Sequence, residues 1–201
     1  MSKGIVATLM ALGMGSAVFA GCSQSVRSEA PAAPSIVGRW KSAVTPFDAE
    51  RAFQLDFDIK ADTWDVDYTV FGDLKGRNPF VTVHISGPYS IGAPSGSVPG
   101  AYDAVFGITR KTVTAHSAGA AGYLDSVGGA VKGFKAGVPL DITQSGFPAL
   151  GQYPVSMVSA DYDLMKLDGD KLYFGDRPKD NNMGSPDKRP TSLASYYSVK
   201  Y

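Results

Sequence analysis

Apolar and polar residues alternate almost without error from Arg51 to Ile59. Phe53, Leu55, Phe57 and Ile59 fall on one side, and Gln54, Asp56 and Asp58 on the other. A period of two is the signature of a half-buried β-strand. Thr63–Phe71 repeats it, with Trp64, Val66, Tyr68 and Val70 opposed to Asp65, Asp67 and Thr69. Only Lys60-Ala61-Asp62 separates the two runs, a connection of hairpin length. The pattern predicts two adjacent antiparallel strands with one aromatic face.

The same reading extends along the chain. Phe80–Ile85 is a third strand, followed by Gly87-Pro88 and Tyr89-Ser90-Ile91. Ala101–Ile108 places Tyr102, Ala104, Phe106 and Ile108 on one face, and Thr112–His116 continues after Arg110-Lys111. Met157–Leu167 and Lys171–Phe174 flank Asp168-Gly169-Asp170, a hairpin signal, and Leu193–Tyr201 reads as a last strand. Eight to ten sequential strands with alternating faces hide their edges most simply by closing. The expected fold is all-β, a single antiparallel, strongly twisted β-barrel or half-barrel with little helix, its last strand pairing back on its first. Ser117–Val138 interrupts the pattern with small residues. A short helix near Ala118–Val127 is the one candidate, yet glycines there cost roughly 1 kcal/mol each in a helix. Residues 117–137 are therefore expected to be a loose flap or mouth loop that opens and closes the barrel.

Composition agrees with strands and turns. There are 23 glycines and 13 prolines in 201 residues, about half as many again as average usage, with ten tyrosines and ten phenylalanines. Basic and acidic residues number 19 each, so no charge surplus points to nucleic acid as a partner.

The N-terminal stretch is a different object. Lys3 precedes an uncharged apolar run, Ile5–Ala20, too short for a comfortable membrane span and the right length for a signal peptide. It ends in Phe19-Ala20-Gly21-Cys22, which resembles the bacterial lipobox: small residues fit the protease cleft, and the cysteine sulfur takes a diacylglycerol. Cys22 is the only cysteine, so no internal disulfide exists. The chain is expected to divide into residues 1–21 as signal peptide, 22–35 as a disordered Ser/Ala/Pro tether, and 36–201 as the barrel domain. Each acyl methylene placed in the bilayer contributes ~0.8 kcal/mol to the anchor. Ser23, where a retention signal has Asp, implies export to the outer membrane by resemblance to Gram-negative sorting.

Candidate chemistry is sparse. His84 and His116 sit on separate strands, and a metal site needs three or four converging ligands, so no metal or cofactor is expected. No serine stands in a strand-to-helix elbow, and no glycine loop has a phosphate-binding setting. The most suggestive polar set is Asp161, Asp163, Asp176, Arg177 and Arg189. Asp161 and Asp163 share a strand face, and both arginines precede proline. They read either as ion pairs fixing the 175–192 loop to the barrel, or as ligand recognition or catalysis. Trp40, Phe53, Phe57, Trp64, Tyr68, Tyr102, Phe106 and Tyr162 are the candidate ligand-binding aromatics; in a barrel of this size they either fill the interior or line a pocket.

Laid end to end, several of these segments resemble a known family. Gly38-Arg39-Trp40 opens the domain; Gly87-Pro88-Tyr89, Val98-Pro99-Gly100-Ala101, Asp141-Ile142-Thr143 and Gly146-Phe147-Pro148 follow. Leu172-Tyr173-Phe174-Gly175-Asp176-Arg177-Pro178 and Arg189-Pro190-Thr191-Ser192-Leu193 are the densest part. Together they resemble the domain of the adenomatosis polyposis coli down-regulated (APCDD) family, over about 36–201. The Gly-x-Trp opening is also similar to that of lipocalin barrels. The resemblance implies a twisted barrel with an apolar, lipid-accepting cavity. Gly76 and Phe147 stand where animal members carry cysteines, so strand pairing and packing must hold this framework. The Wnt-inhibiting role of the animal proteins does not transfer. Three readings stay open: a non-enzymatic lipoprotein whose barrel binds a hydrophobic or lipid-like small molecule, a structural or interaction lipoprotein of the envelope with a filled barrel, and an enzyme. The sequence identifies no protein partner.

Overall fold

The computed structural model describes residues 32–201. The expected signal peptide, Cys22 and most of the expected tether lie outside the described residues. Eleven strands form one sheet: β1 (Gly38–Ser42), β2 (Thr45–Pro46), β3 (Ala52–Ile59), β4 (Thr63–Phe71), β5 (Pro79–Pro94), β6 (Tyr102–Gly107), β7 (Arg110–Ala115), β8 (Leu140–Asp141), β9 (Ala160–Asp168), β10 (Lys171–Phe174) and β11 (Ser198–Lys200). Among the described residues there is one α-helix, α1 (Ala118–Val127).

Eight of these strands close into an antiparallel barrel in the cyclic order β1-β3-β4-β5-β6-β9-β10-β11. The closing seam is β11 on β1, with Trp40 opposite Lys200 and Ser42 opposite Ser198. The β3–β4 register sets Leu55 opposite Tyr68 and Phe57 opposite Val66, so the aromatic face read from the alternation is the barrel interior.

Strand β5 is a single strand of 16 residues, where the pattern suggested a strand, a Gly-Pro break and a short continuation. It shares one edge between two partners: residues 81–86 pair with β7 and residues 89–94 with β6. At the change of partner, Gly87 and Gly107 pack backbone to backbone. A Cβ on Gly87 would stand 2.1 Å from the Gly107 carbonyl oxygen, so neither a side chain nor a wider crossing fits. The Trp64 indole N–H donates to that same carbonyl at 2.8 Å and pins the junction from inside. Beyond it, β6 continues the barrel into β9, whereas β7 turns away to β8.

Large side chains fill the base of the barrel. Ile36, Trp40, Phe57, Trp64, Phe106, Met165 and Leu172 are all buried there, and the Trp40 indole donates to the Ile36 carbonyl at 2.7 Å. At the other end, α1 packs onto β7. Its buried residues Ala120, Ala121 and Leu124 join Val70, Val81, Val83 and Val113. Ser117 caps it, Oγ accepting from the Ala120 amide at 3.0 Å. The Asp125 carboxylate accepts from the Gly133 and Phe134 amides, and Phe134 meets Phe147 edge to face at 5.4 Å. The expectation of a loose flap over 117–137 is corrected: tertiary burial of one small-residue face outweighs the weak intrinsic helix propensity.

Two strand boundaries also differ. Strand β9 starts at Ala160 rather than Met157, because the Met157 and Val158 amides donate to Pro154 in a turn. Strand β11 is three residues long, because the Ala194 amide bonds to Phe174 and the chain folds inward at Tyr196 before rejoining the sheet.

Candidate functional site: a chamber inside the barrel

Above the filled base the interior opens into a cavity of about 380 Å³. Strands β3 and β4 give it Phe53, Leu55, Phe57, Trp64, Val66 and Tyr68; Ile85, Phe106, Ile108 and Phe174 complete the apolar wall. The rings are set against one another. Phe57 stacks on Phe174 at 4.8 Å and Trp64 meets Phe106 edge on at 5.1 Å. Phe53 lies between Tyr68 at 5.5 Å and Tyr196 at 5.1 Å. Phe47, Leu150, Gln152, Tyr153 and Asn181 form the remaining rim, and no residue of 117–137 takes part.

One wall is polar. Asp161 and Asp163 point inward from β9, and Arg177 reaches in from the strand-to-loop exit after β10. Arg177 Nη2 donates to Asp161 Oδ2 at 2.8 Å and Nε to Asn181 Oδ1 at 2.6 Å. Arg177 lines the chamber, and 36% of its side chain stays accessible. Burial works against its charge, but Asp161 and Asp163 outweigh that and raise its pKa. Asp163 Oδ1 accepts from its neighbour Leu164 and from Gly175 across the strand pair, at 2.7 and 2.9 Å. Burial pushes the Asp163 carboxyl up to about 6, against the pull of Arg177.

Lys111 is the wall's second cation, only 3% exposed, with Nζ donating to the Tyr153 carbonyl at 3.2 Å. Burial lowers its pKa, and Asp161 partly restores it. Parity alone marks Lys111: it shares a strand face with Val113 and Ala115, whereas the sequence reading starts that strand one residue after it. Tyr196 and the 150–153 rim carry no comparable signal, since only the tertiary fold brings them to the barrel.

Five of the eight candidate aromatics line the chamber: Phe53, Phe57, Trp64, Tyr68 and Phe106. Three do not. Trp40 and Tyr102 belong to the base, where Tyr102 is partly buried and its hydroxyl reaches the Ala32 carbonyl at 3.5 Å. Tyr162 alternates with Asp161 and Asp163 and so sits on the outside of β9, with the Arg189 guanidinium 5.8 Å from its ring centre. Arg189 is likewise outside. It pairs with Asp103 at 3.4 Å and donates to the Ala104 and Asp163 carbonyls, clamping β6 to β9. The polar set thus divides into an inner group, Asp161, Asp163, Asp176 and Arg177, and an outer clamp. In the inner group Asp161 and Asp163 first serve to hold the 175–177 segment to β9.

The histidines lie on the barrel exterior. His84 Nδ1 is 2.8 Å from Asp67, and His116 Nε2 is 2.8 Å from the Thr82 hydroxyl. Among the described residues no three acidic, histidine or cysteine side chains converge on a metal-sized site, and no helix is long and apolar enough to cross a membrane. No protein-family model matches the chain, and no curated protein matches it.

Proposed function

We propose that this protein is an exported, lipid-anchored bacterial lipoprotein whose barrel holds a hydrophobic or lipid-like small molecule. The observation that carries the reading is the chamber: about 380 Å³ of space inside a closed barrel, walled by aromatic and aliphatic side chains. That volume is within the usual range of small-molecule sites, which combine an apolar lining with a few placed polar groups. The resemblance to the APCDD domain supports the same kind of occupant, and the lipobox at Cys22 supports the anchor.

A neutral fluorescent apolar probe is expected to bind the purified protein and to be displaced by lipid extracted from its native envelope. Phe57→Leu and Tyr68→Leu are expected to weaken binding several-fold, while His84→Gln and Asp65→Asn on the outside leave it unchanged. Absence of binding by any apolar probe would leave a structural lipoprotein. The anchor has its own test: Cys22→Ser is expected to release the domain, still folded, from the membrane fraction, and equal retention would overturn the lipidation.

A further inference from the structure

We infer that the occupant is a single-chain amphiphile whose head is uncharged and both donates and accepts hydrogen bonds, such as a glycerol ester, seated against Tyr68, Tyr196 and Arg177. This inference rests on the proposed lipid-holding role and specifies its ligand.

Two observations carry it. The first is a set of open polar atoms. The hydroxyls of Tyr68 and Tyr196 and Nη1 of Arg177 make no hydrogen bond among the described residues, while Nε and Nη2 of the same guanidinium are held by Asn181 and Asp161. Neither tyrosine hydroxyl is a sealed, unpartnered atom, and the Arg177 side chain is 36% exposed; all three residues line the chamber. The two phenols flank Phe53 from either side. The guanidinium is fixed through Nε and Nη2, which leaves Nη1 without a protein partner in a residue that lines the same space. An occupant with no acceptor would leave these donors unsatisfied in a confined site, at a cost comparable to a lost hydrogen bond each.

The second observation is the charge count. The charged groups lining the chamber are Lys111 and Arg177 against Asp161, Asp163 and Asp176. Arg51, which also reaches Tyr68 electrostatically, is itself paired to Asp48 at 2.6 Å. No surplus of positive charge awaits an anion. A carboxylate head seated on Arg177 would also confront Asp161, which already neutralises that guanidinium at 2.8 Å, and the desolvation of both anions would count against it. A cationic head would satisfy the carboxylates but leave Arg177 Nη1 facing a like charge. An uncharged head with carbonyl and hydroxyl groups meets the donors and the carboxylate oxygens without adding net charge.

The test compares dodecyl-chain competitors of equal length against a neutral fluorescent probe at pH 8, using the full chain stripped of bound lipid: monolauroylglycerol, laurate and dodecylamine. Monolauroylglycerol is expected to displace the probe at about tenfold lower concentration than either charged compound. The double variant Tyr68→Phe/Tyr196→Phe preserves ring packing. It is expected to erase most of that preference, each competitor being scored relative to the variant's own probe affinity. Laurate or dodecylamine competing as well as the glycerol ester would overturn the inference, as would a preference untouched by the double variant. Probe binding reports separately on the apolar chamber, so a parent protein that binds the probe but shows no head selectivity refutes only the head-group assignment.

Discussion

The two halves of the barrel interior are built from the same strands with the same alternation, yet one is solid and the other hollow. In the base, residues pointing inward from β1, β9 and β10 are Trp40, Met165 and Leu172, and they pack with Phe57 and Trp64 in one buried cluster. One turn of sheet higher, the inward residues of β9 are Asp161 and Asp163, and after Phe174 the chain continues as Gly175. A Cβ on Gly175 would stand 2.5 Å from the Asp163 carboxylate, so that position is closed to any larger side chain. The hollow half thus arises where one wall is aromatic and the facing wall carries charges that must stay hydrated or paired. Alternation decides which side chains face in. The facing wall decides whether they fill the space.

The comparison can be broken most severely at the base. Trp40→Ala is expected to cost roughly 3–5 kcal/mol in chemical denaturation, since the ring is 3% exposed and anchors Ile36. A shift below about 1 kcal/mol would show that the base is not the mechanical foundation described. At the opposite end, Leu124→Ala should cost about 2–5 kcal/mol, because α1 is packed rather than loose. Protection of the α1 amides from hydrogen exchange comparable to that of β7 would accompany it.

The chamber wall should respond to pH where the base does not. Asp163 has a folded pKa raised to about 6, above the unfolded value near 3.9. Between these values the native state binds the extra proton, so its contribution to stability is present below about pH 4 and is lost as pH rises through about 6. The loss amounts to about 3 kcal/mol. Asp163→Asn, whose Oδ1 still accepts from Leu164 and Gly175, should remove that slope; an unchanged pH profile would contradict the burial assigned to this group. The smallest effect belongs to the exterior. Asp67 raises the His84 pKa through their hydrogen bond. The contribution of that pair is therefore present below the ordinary histidine value and disappears as pH rises through the raised one. The pair is partly exposed, so His84→Gln should change stability by less than about 1 kcal/mol at any pH.

Much of this architecture was legible in the chain because the strands are half-buried. β3 and β4 declare both their faces, and the Asp168-Gly169-Asp170 turn and the return of β11 to β1 follow the expected closure. The failures have physical causes. Gly87-Pro88 reads as a break, but Pro88 is exposed and needs no ladder donor there, while Gly87 is what lets β5 run past the junction. The glycine-rich helix looks too weak by propensity, and only its buried face rescues it. Trp40, Tyr102 and Tyr162 read with the lining aromatics in the sequence, Tyr102 through the strand face it shares with Phe106. Depth along the barrel removed the first two, and strand parity places Tyr162 outside. Lys111 was hidden by a strand boundary set one residue late, and Tyr196 enters the chamber from a loop with no periodicity to announce it.

The seam between β1 and β11 has a consequence for how this chain acquires its shape. It joins Trp40 to Lys200, and the Lys200 amine reaches the Val37 carbonyl across 163 positions of sequence at 2.9 Å. Until those last residues have arrived, β1 and β10 each present a bare edge, the kind of surface that pairs with other chains. The hairpin β3–β4 can form early, but the ring is complete only when the most distant contact is made, which makes for slow, late closure. A chain still being synthesised therefore carries an unfinished cylinder, and a chaperone that shields strand edges would protect it most before β11 is laid down.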